Sequence, residues 1–368
     1  MKTTIFQFGT SRFLQAHADL FISQSQGPKI SVIASSGSAQ GQARLAALSN
    51  KEGYPVLIRG VENGEFVERR EIVQSIAHSF DAGIDWVALT AKFVDEAEFV
   101  VSNTTERGFY LPETYIPDLQ QIVKQAPEWF PAKLLALLYA RFLANQRSLI
   151  ILPTELVGRN GDTLKSIVSA LAARAGSTIN FITWLNNSCI FANSLVDRIV
   201  SQSIEPAGAI AEPYALWAVE MQPGLHMPCM HTSIKIVPDL MPYERLKIHI
   251  LNLGHSVLAE RRQVEALDVN LTVRAMLADP AQLTMLQALY ADEVIPGFTA
   301  HGVQRQAQDY VRITLERFQN PFLDHRLADI AGGHAEKIKR RIRDFLSWIP
   351  EESFYSTPIL TALSAKYS

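Results

Sequence analysis

Short apolar runs alternate with stretches of helical periodicity through the first half of the chain, and this alternation constrains the fold more than any single motif. Strand patterns fall at 3–8, 30–35, 55–59, 97–102, 148–153 and 181–184, the last being Phe-Ile-Thr-Trp; helical periodicity falls at 11–25, 38–50, 131–145 and 161–175. Such a sequence of elements predicts an α/β fold, a mostly parallel sheet with covering helices. An Asn-Gly turn at Glu62-Asn63-Gly64, set between two apolar stretches, predicts a hairpin. The stretch from about 205 to 242 is rich in Pro and Met and reads as irregular chain with one strand at 233–237. After Pro242 the pattern becomes almost wholly helical, at 243–262, 270–277, 280–291, 302–319, 322–332 and 334–348. The expected organisation is therefore a mostly parallel α/β domain over 1–240 and a mostly α-helical domain over 241–368. Internal repeats and low-complexity tracts are absent from the sequence.

The chain opens on Thr-Ile-Phe-Gln-Phe-Gly-Thr-Ser-Arg-Phe, a hydrophobic strand that runs straight into a glycine turn and a helical pattern. This is the outline of a first βα unit that presents a helix N-terminus to a pyrophosphate, which makes 1–240 the expected Rossmann-type dinucleotide-binding domain and leaves 241–368 as the expected substrate and catalytic domain. Phe8, Gly9, Thr10, Ser11, Arg12 and Phe13 make up that turn and are the expected cofactor contacts; Ser11 stands where the second glycine of the fingerprint belongs. The acidic residue that takes the ribose hydroxyls of NAD is missing from the end of the next strand. Ser35, Ser36 and Ser38 suit either those hydroxyls or a 2′-phosphate, with Arg44 nearby, so these residues leave the cofactor open; NAD is the expectation, with NADP as the alternative. Asn103, Thr104 and Thr105 follow an apolar strand, where a parallel sheet presents its carboxyl ends to ligand. They fit contacts to the nicotinamide half or an ordinary strand-to-helix cap.

Lys247, Asn252 and His255 place three unlike polar groups in an otherwise apolar segment, behind a Pro242 and Glu244 that suit a first helical turn. On a continuous helix Asn252 and His255 lie one turn apart, with Lys247 in the same broad half of the surface. An ammonium partly desolvated by apolar neighbours exchanges a proton near neutral pH, and amide and imidazole N–H groups hold an oxygen as it gains charge. That suits alcohol–carbonyl redox chemistry. On these residues alone, a solvated lysine beside two capped or core polar groups fits as well.

Of the 368 residues 48% are hydrophobic and 19% charged, as in an ordinary globular protein, and the net charge of −3 gives no bulk attraction to nucleic acid or anionic membrane. Cys189 and Cys229 are the only cysteines and lack metal-ligand spacing, so no metal site is expected and the pair fits a reducing cytoplasm. The amino terminus enters a strand directly, without a signal-peptide pattern, and no apolar run approaches the roughly 20 residues of a membrane-spanning helix.

Several segments, taken in order, carry a resemblance. They are Gln-Phe-Gly at 7–9 with Phe13, Ala16 and His17; Ile-Arg-Gly-Val-Glu-Asn-Gly at 58–64; and Val-Val-Ser-Asn-Thr-Thr-Glu-Arg-Gly at 100–108. Phe-Pro-Ala-Lys-Leu at 130–134, Pro-Thr-Glu-Leu-Val-Gly-Arg-Asn-Gly-Asp at 153–162 and Asn-Ser-Leu-Val-Asp-Arg-Ile at 193–199 follow. The Lys247/Asn252/His255 set and Arg-Phe-Gln-Asn-Pro-Phe at 317–322, running on to Lys337, complete them. From end to end the chain resembles the mannitol dehydrogenase family of long-chain polyol and sugar-acid dehydrogenases, and within it the tagaturonate reductase (altronate oxidoreductase) branch.

The resemblance implies metal-independent hydride transfer between a nicotinamide cofactor and a secondary alcohol or ketone. Lys247 would exchange the hydroxyl proton while Asn252 and His255 stabilise the developing oxygen charge. It places Asp197 in the substrate pocket, where the residues alone read Asp197-Arg198 as a solvated or structural pair. Glu155 stands where the mannitol-oxidising branch has the asparagine of a Cys-Asp-Asn segment; it either caps the following helix or tunes and relays the proton of Lys247. Asn160, in a turn with Gly161, is expected to face the site. His325, Arg326, His334 and Lys337 cluster in two helical segments; Lys337 matches a lysine of the family pattern, and a basic group here suits a sugar-acid carboxylate. The arginine that mannitol dehydrogenases carry eight residues earlier is Asp329, which weighs against mannitol. The implied substrates are tagaturonate and altronate, then fructuronate and mannonate, with a polyol–ketose pair as the alternative. Ser11, Gln15 and Leu253 depart from the glycine, arginine and glycine of many relatives, which leaves a catalytically silent dinucleotide- or sugar-acid-binding protein as the alternative from another class. A monomer or a small homo-oligomer is compatible with the resemblance.

Overall fold

In the computed structural model of the protein, residues 2–35, 38–104, 106–353 and 355–367 are described, with the side chains of Glu106 and Arg107 left aside. The strands in chain order are β1 (Thr3–Phe8), β2 (Lys29–Ala34), β3 (Tyr54–Glu62), β4 (Glu65–Val73), β5 (Ile76–Asp81), β6 (Phe99–Ser102), β7 (Leu149–Pro153), β8 (Cys189–Phe191), β9 (Ser194–Asp197), β10 (Val200–Ser203), β11 (Ala209–Ala211), β12 (Leu216–Glu220) and β13 (Ile234–Val237). Six of them form one sheet in the order β5-β2-β1-β6-β7-β8, and every pairing in it is parallel. With the β3–β4 hairpin set aside, this is the doubly wound dinucleotide-binding order, whose direction of winding reverses between β1 and β6.

The strand sequences explain the layering. Ile5, Val101, Ile150 and Leu152 face one apolar cluster, while Phe6, Phe8, Val100 and Ile151 face another. Successive side chains point to opposite faces, and both faces are covered, so the strands read as nearly unbroken hydrophobic runs. The helix Phe130–Ala144 lays Leu134, Leu137 and Leu138, all fully buried, on the second cluster. β3 and β4 join through Asn63 and Gly64, both at positive φ (55° and 81°), the backbone that a two-residue hairpin turn demands. Two smaller sheets run β10-β11-β3-β4 and β13-β12-β9.

Where the sequence predicts a strand at 181–184 there is a helix, Ile179–Ser188. Thr178 caps it through the Phe181 N–H, and Phe181, Trp184 and Leu185 recur at helical spacing on its buried face. A four-residue apolar run carries no period of its own, and the cap decides it. The helix expected over 11–25 breaks at His17 (φ −128°, ψ −96°) into Arg12–Gln15 and Ala18–Gln24. Over 205–242 the sequence predicts irregular chain with one strand at 233–237; β13 takes that place, and β11 and β12 form there besides. The helix expected over 322–332 shrinks to Leu327–Ile330, because the Asn320 side chain accepts the Phe322 N–H and holds a turn.

The chain divides into two compact units. The first comprises Met1–Ile58, Arg69–Ala211 and Ala215–Leu240; the second comprises Arg59–Glu68, Glu212–Tyr214 and Met241–Ser368. The second unit is built on helices around an apolar cluster that includes Ile250, Leu253, Leu258, Leu289 and Phe345. Among the described residues no helix is long and apolar enough to cross a membrane.

Candidate active site

In the first unit the candidate site is the loop region at the carboxyl ends of β1 and β6. Gly9 sits at φ +107° and donates to the Ile33 carbonyl at 3.1 Å. A Cβ on Gly9 would lie 2.6 Å from the Asn103 carbonyl oxygen, so glycine is required both for the turn and for the approach of the β6 loop. Ser11 caps the short helix Arg12–Gln15 by accepting from Leu14 N and donates its hydroxyl to Asn103 Oδ1 at 2.9 Å. The residue that replaces a fingerprint glycine thereby ties the β1 loop to the β6 loop. Phe8 is buried against Phe130, the Thr10 carbonyl accepts from Gln15 Nε2 at 3.0 Å, and exposed Arg12 donates to Ser201 O. Gln15 also accepts from Gly208 N at 2.6 Å, so this departure from the family's arginine serves as a backbone bolt.

Phe13 stacks on His17 at 4.6 Å. His17 is fully buried and donates Nε2–H to the Leu216 carbonyl at 3.0 Å. Burial, partly opposed by that bond, drives its pKa down to about 3, so the ring is neutral and packs as an aromatic.

The β6 loop is fixed from below by Glu155, which is 2% exposed. One carboxylate oxygen accepts from the Thr104 N–H and hydroxyl, both at 2.9 Å, and the other from the Ser102 hydroxyl at 3.0 Å. Burial raises the Glu155 pKa, while the bonds from Thr104 and Ser102 work against the rise. Asn103 donates to Thr154 O and Oγ1. The Asn160 amide is fully engaged with backbone: it donates to the carbonyls of Pro153, Glu155 and Ser194 and accepts from Gly161 N and Ser194 N. Asp197 closes β9 and is buried; Arg198 beside it donates to the Ala16 carbonyl, where the two short helices break. Ser35 is exposed at the end of β2, and Arg44 is paired with Glu205 at 3.1 Å. Ser36 and Thr105 lie outside the described residues.

In the second unit an unbroken helical run carries Lys247, Asn252 and His255, and its turn widens where they sit. Met241–Leu246 is α-helical, Lys247–Asn252 is a π turn, and Leu253–Val264 resumes the α-helix; Leu253 N–H reaches the Ile248 carbonyl five residues back. The wider i→i+5 turn brings residues five apart much closer in angle than an α-helix does, so Lys247 and Asn252 share a face. On a regular α-helix of 3.6 residues per turn they would stand roughly 140° apart. His255 follows one α-turn beyond Asn252. Lys247 and Asn252 are half-buried, and His255 is buried with its ring stacked on Phe318 (4.3 Å, 27°) and edge-on to His325 (5.0 Å, 76°).

Burial lowers the His325 pKa; Asp329 opposes the fall, and Lys337 and Arg341 add to it. Lys337 donates to the Ile330 carbonyl at 2.8 Å, and its pKa is lowered by burial and then by Arg341. Arg326 is exposed and paired with Asp329 at 3.0 Å. His334 donates to buried Glu260, which also accepts from Lys366 and Tyr367, and so belongs to a bolt on the C-terminal helix. Phe318 is held by its neighbour: Arg317 forms a buried two-point pair with Glu212 (2.9 and 2.8 Å) and lies over the Tyr214 ring. Leu253 is fully buried in the helical core. Among the described residues no three His, Cys, Asp or Glu side chains converge to hold a metal ion.

Sequence reasoning missed Ser102, Tyr290 and Arg341, whose partners Glu155, Ile250 and Asn252 lie dozens of residues away and leave no local pattern. The Gly9 turn, the polar Ser11/Asn103/Thr104 rim and the reversal of winding between β1 and β6 together fit a dinucleotide.

Comparison with known proteins agrees with this arrangement. A model of the mannitol dehydrogenase Rossmann domain matches residues 3–228, and one of the mannitol dehydrogenase C-terminal domain matches residues 239–367. An altronate oxidoreductase of Bacillus subtilis is 30% identical over 364 residues, covering 92% of this chain and 73% of that protein. Another from Halalkalibacterium halodurans is 28% identical over 396 residues, covering 98% and 74%. Among solved structures, a substrate-free D-sorbitol dehydrogenase matches with a TM-score of 0.78 at 18% identity, covering 94% of this chain and 76% of its own. The mannitol 2-dehydrogenase of Pseudomonas fluorescens, in a ternary complex with NAD and D-mannitol, gives 0.69 at 17% identity, covering 100% and 79%. At those identities the structural likeness is one of fold. The chain belongs to the mannitol dehydrogenase family, as an oxidoreductase with a nicotinamide-binding Rossmann unit and a helical C-terminal unit.

Proposed function

We propose that the protein interconverts a secondary alcohol and a ketone on an open-chain sugar acid, tagaturonate and altronate first and fructuronate and mannonate next, with NAD(H) as cofactor. The observation that carries this is the widened turn that aligns Lys247 with Asn252 and sets His255 one turn beyond. The nicotinamide dinucleotide, when bound, supplies the two-electron chemistry. Lys247 holds or returns the proton of the reacting hydroxyl. Asn252 donates an amide N–H to the substrate oxygen, and His255, its ring fixed between Phe318 and His325, donates from the imidazole. Glu155 acts by holding Ser102 and Thr104, which sets the Asn103–Thr104 loop for the cofactor. Asp197 is assigned to a substrate hydroxyl, and Lys337 and His325 to the carboxylate, which cationic or N–H donors recognise.

The sugar-acid assignment is supported by the names of the sequence relatives, both altronate oxidoreductases, and by Asp329 at the family's arginine position. The choice of NAD is supported by Arg44, whose charge is taken up by Glu205 and is less available to a 2′-phosphate. The test is oxidation of NADH and of NADPH with tagaturonate, fructuronate, fructose and buffer alone. Turnover of NADH with a keto-uronate is expected. Turnover with fructose alone would move the protein to the polyol reaction, and cofactor binding without turnover on any of them would mark a silent site.

A further inference from the structure

A π turn inside a helix gives up regular hydrogen bonding and persists where neighbours stabilise it. Two residues distant in sequence grip the Lys247–Asn252 turn. Tyr290, 1% exposed, donates its hydroxyl to the Ile250 carbonyl at 2.9 Å. It approaches over Gly254, where a Cβ would stand 2.0 Å from the tyrosine oxygen, so a helical glycine is kept at a position that any helix former would otherwise favour. Arg341 donates to the Asn252 carbonyl at 3.2 Å and to the Ser256 hydroxyl at 2.9 Å. The Arg341 carbonyl in turn accepts from His249 Nδ1 at 3.1 Å. The turn is thus held at its middle and at both flanks of Asn252. Tyr290 and Arg341 each stand in a π turn of their own, Tyr290–Val294 and Lys339–Arg343.

We infer that Tyr290 and Arg341 are positioning residues of the redox reaction: from outside the site they hold open the wide turn that aligns Lys247 with Asn252. Relaxation of that turn to regular α-helix would swing Lys247 away from Asn252 and His255 without touching either. The inference rests on the proposed roles of Lys247, Asn252 and His255. Arg341 stays cationic at neutral pH although burial, and then Arg340, lower its pKa to about 10, so its bond to the Asn252 carbonyl remains charge-assisted.

The test uses the full chain as wild type, Y290F, R341A, R341K and K247A, with the keto-uronate that the wild type reduces. Y290F and R341A are each expected to lower kcat about tenfold or more, with substrate KM and NADH affinity within about threefold, since misplacement of a reacting group costs rate rather than cofactor binding. R341K should fall between, and added guanidinium should restore part of the R341A rate. Amide hydrogen exchange should quicken in the 247–256 segment of Y290F and R341A and stay unchanged over the Rossmann sheet. Folded Y290F and R341A with wild-type kcat and unchanged exchange would overturn the inference, as would a rate loss that follows melting temperature alone and ignores guanidinium. If R341A does not fold, Y290F decides, because it removes one oxygen and keeps the ring. Wild-type turnover in K247A would instead remove the assignment on which the inference stands.

Discussion

The loops at the ends of β1 and β6 and the wide turn at Lys247–Asn252 are both candidate functional geometry, but they are built by opposite means. The first is made largely by residues within it: Gly9 at φ +107°, the Ser11 cap and the Ser11–Asn103 bond. The second is a departure from helix geometry that its own sequence does not encode, and it is gripped by Tyr290 and Arg341, 40 and 89 residues from the carbonyls they hold. A site built by local rules tolerates change at a distance and fails at a few invariant conformations. A site held from outside fails at residues that touch no ligand. Variants on each side test the contrast, from loss of turnover to a stability change of about 1 kcal/mol.

The largest effect belongs to Lys247. K247A should lower kcat by about 100-fold or more, the range expected for removal of a positioned proton-transfer group, with NADH affinity retained. Steady-state turnover beside NADH fluorescence titration checks it, and parallel loss of both would mean that the lysine serves the fold rather than the reaction. Next comes Gly9. G9V adds a Cβ 2.6 Å from the Asn103 carbonyl at a backbone angle that valine avoids. The strain should cost about 1–3 kcal/mol in urea unfolding and weaken NADH binding about tenfold or more. Cofactor affinity unchanged in G9V would show that the loop is not as locally determined as its geometry indicates.

Asp19 blurs the division, because it is a non-local device inside the Rossmann unit. It is fully buried, accepts from the Tyr54 hydroxyl at 2.8 Å and faintly from Gln7, and has one oxygen without a partner among the described residues. Burial raises its pKa from 3.8 to about 7, against the pull of Tyr54 and Gln7. The folded state therefore keeps a proton that the unfolded chain has released. The stabilisation this gives is full below the unfolded pKa and is lost as pH rises through the folded value near 7. D19N carries no such ionisation, so relative to wild type it should gain about 2–4 kcal/mol of stability between roughly pH 5 and pH 8. Urea unfolding at the two pH values decides; a constant difference would mean that the carboxyl is ionised throughout.

What could be read in advance follows the same line between local and non-local causes. The parallel sheet, the Asn63-Gly64 hairpin and the helical second half follow from periodicity and turn chemistry, which act over a few residues. The Phe181–Trp184 run reads as a strand because four residues carry no period, and the deciding Thr178 cap lies outside them. Lys247, Asn252 and His255 stood out by residue type. Their alignment did not, since i→i+4 and i→i+5 turns place the same side chains in the same order along the chain. Glu155 was recognised as unusual, but its donors Ser102 and Thr104 lie about fifty residues back and are supplied by the sheet register that sets Ser102 beside Pro153. The resemblance singles out Asn160 and His17; only the structure gives the backbone carbonyls they satisfy.

The smallest expected effect tests the local side of the contrast most closely. S11G would restore the glycine of the fingerprint, and would remove both the cap on Leu14 N and the bond to Asn103 Oδ1. Exchange of a serine cap for glycine costs only a few tenths of a kcal/mol, and loss of one further hydrogen bond costs about 1. Stability should therefore drop by about 1 kcal/mol, with NADH affinity within about threefold of wild type, if Ser11 serves as an equivalent solution to the same turn. A tenfold gain in affinity would mean something different. The serine would then crowd the pyrophosphate position, and the Ser11–Asn103 tie would be a feature that trades cofactor affinity for a fixed β6 loop.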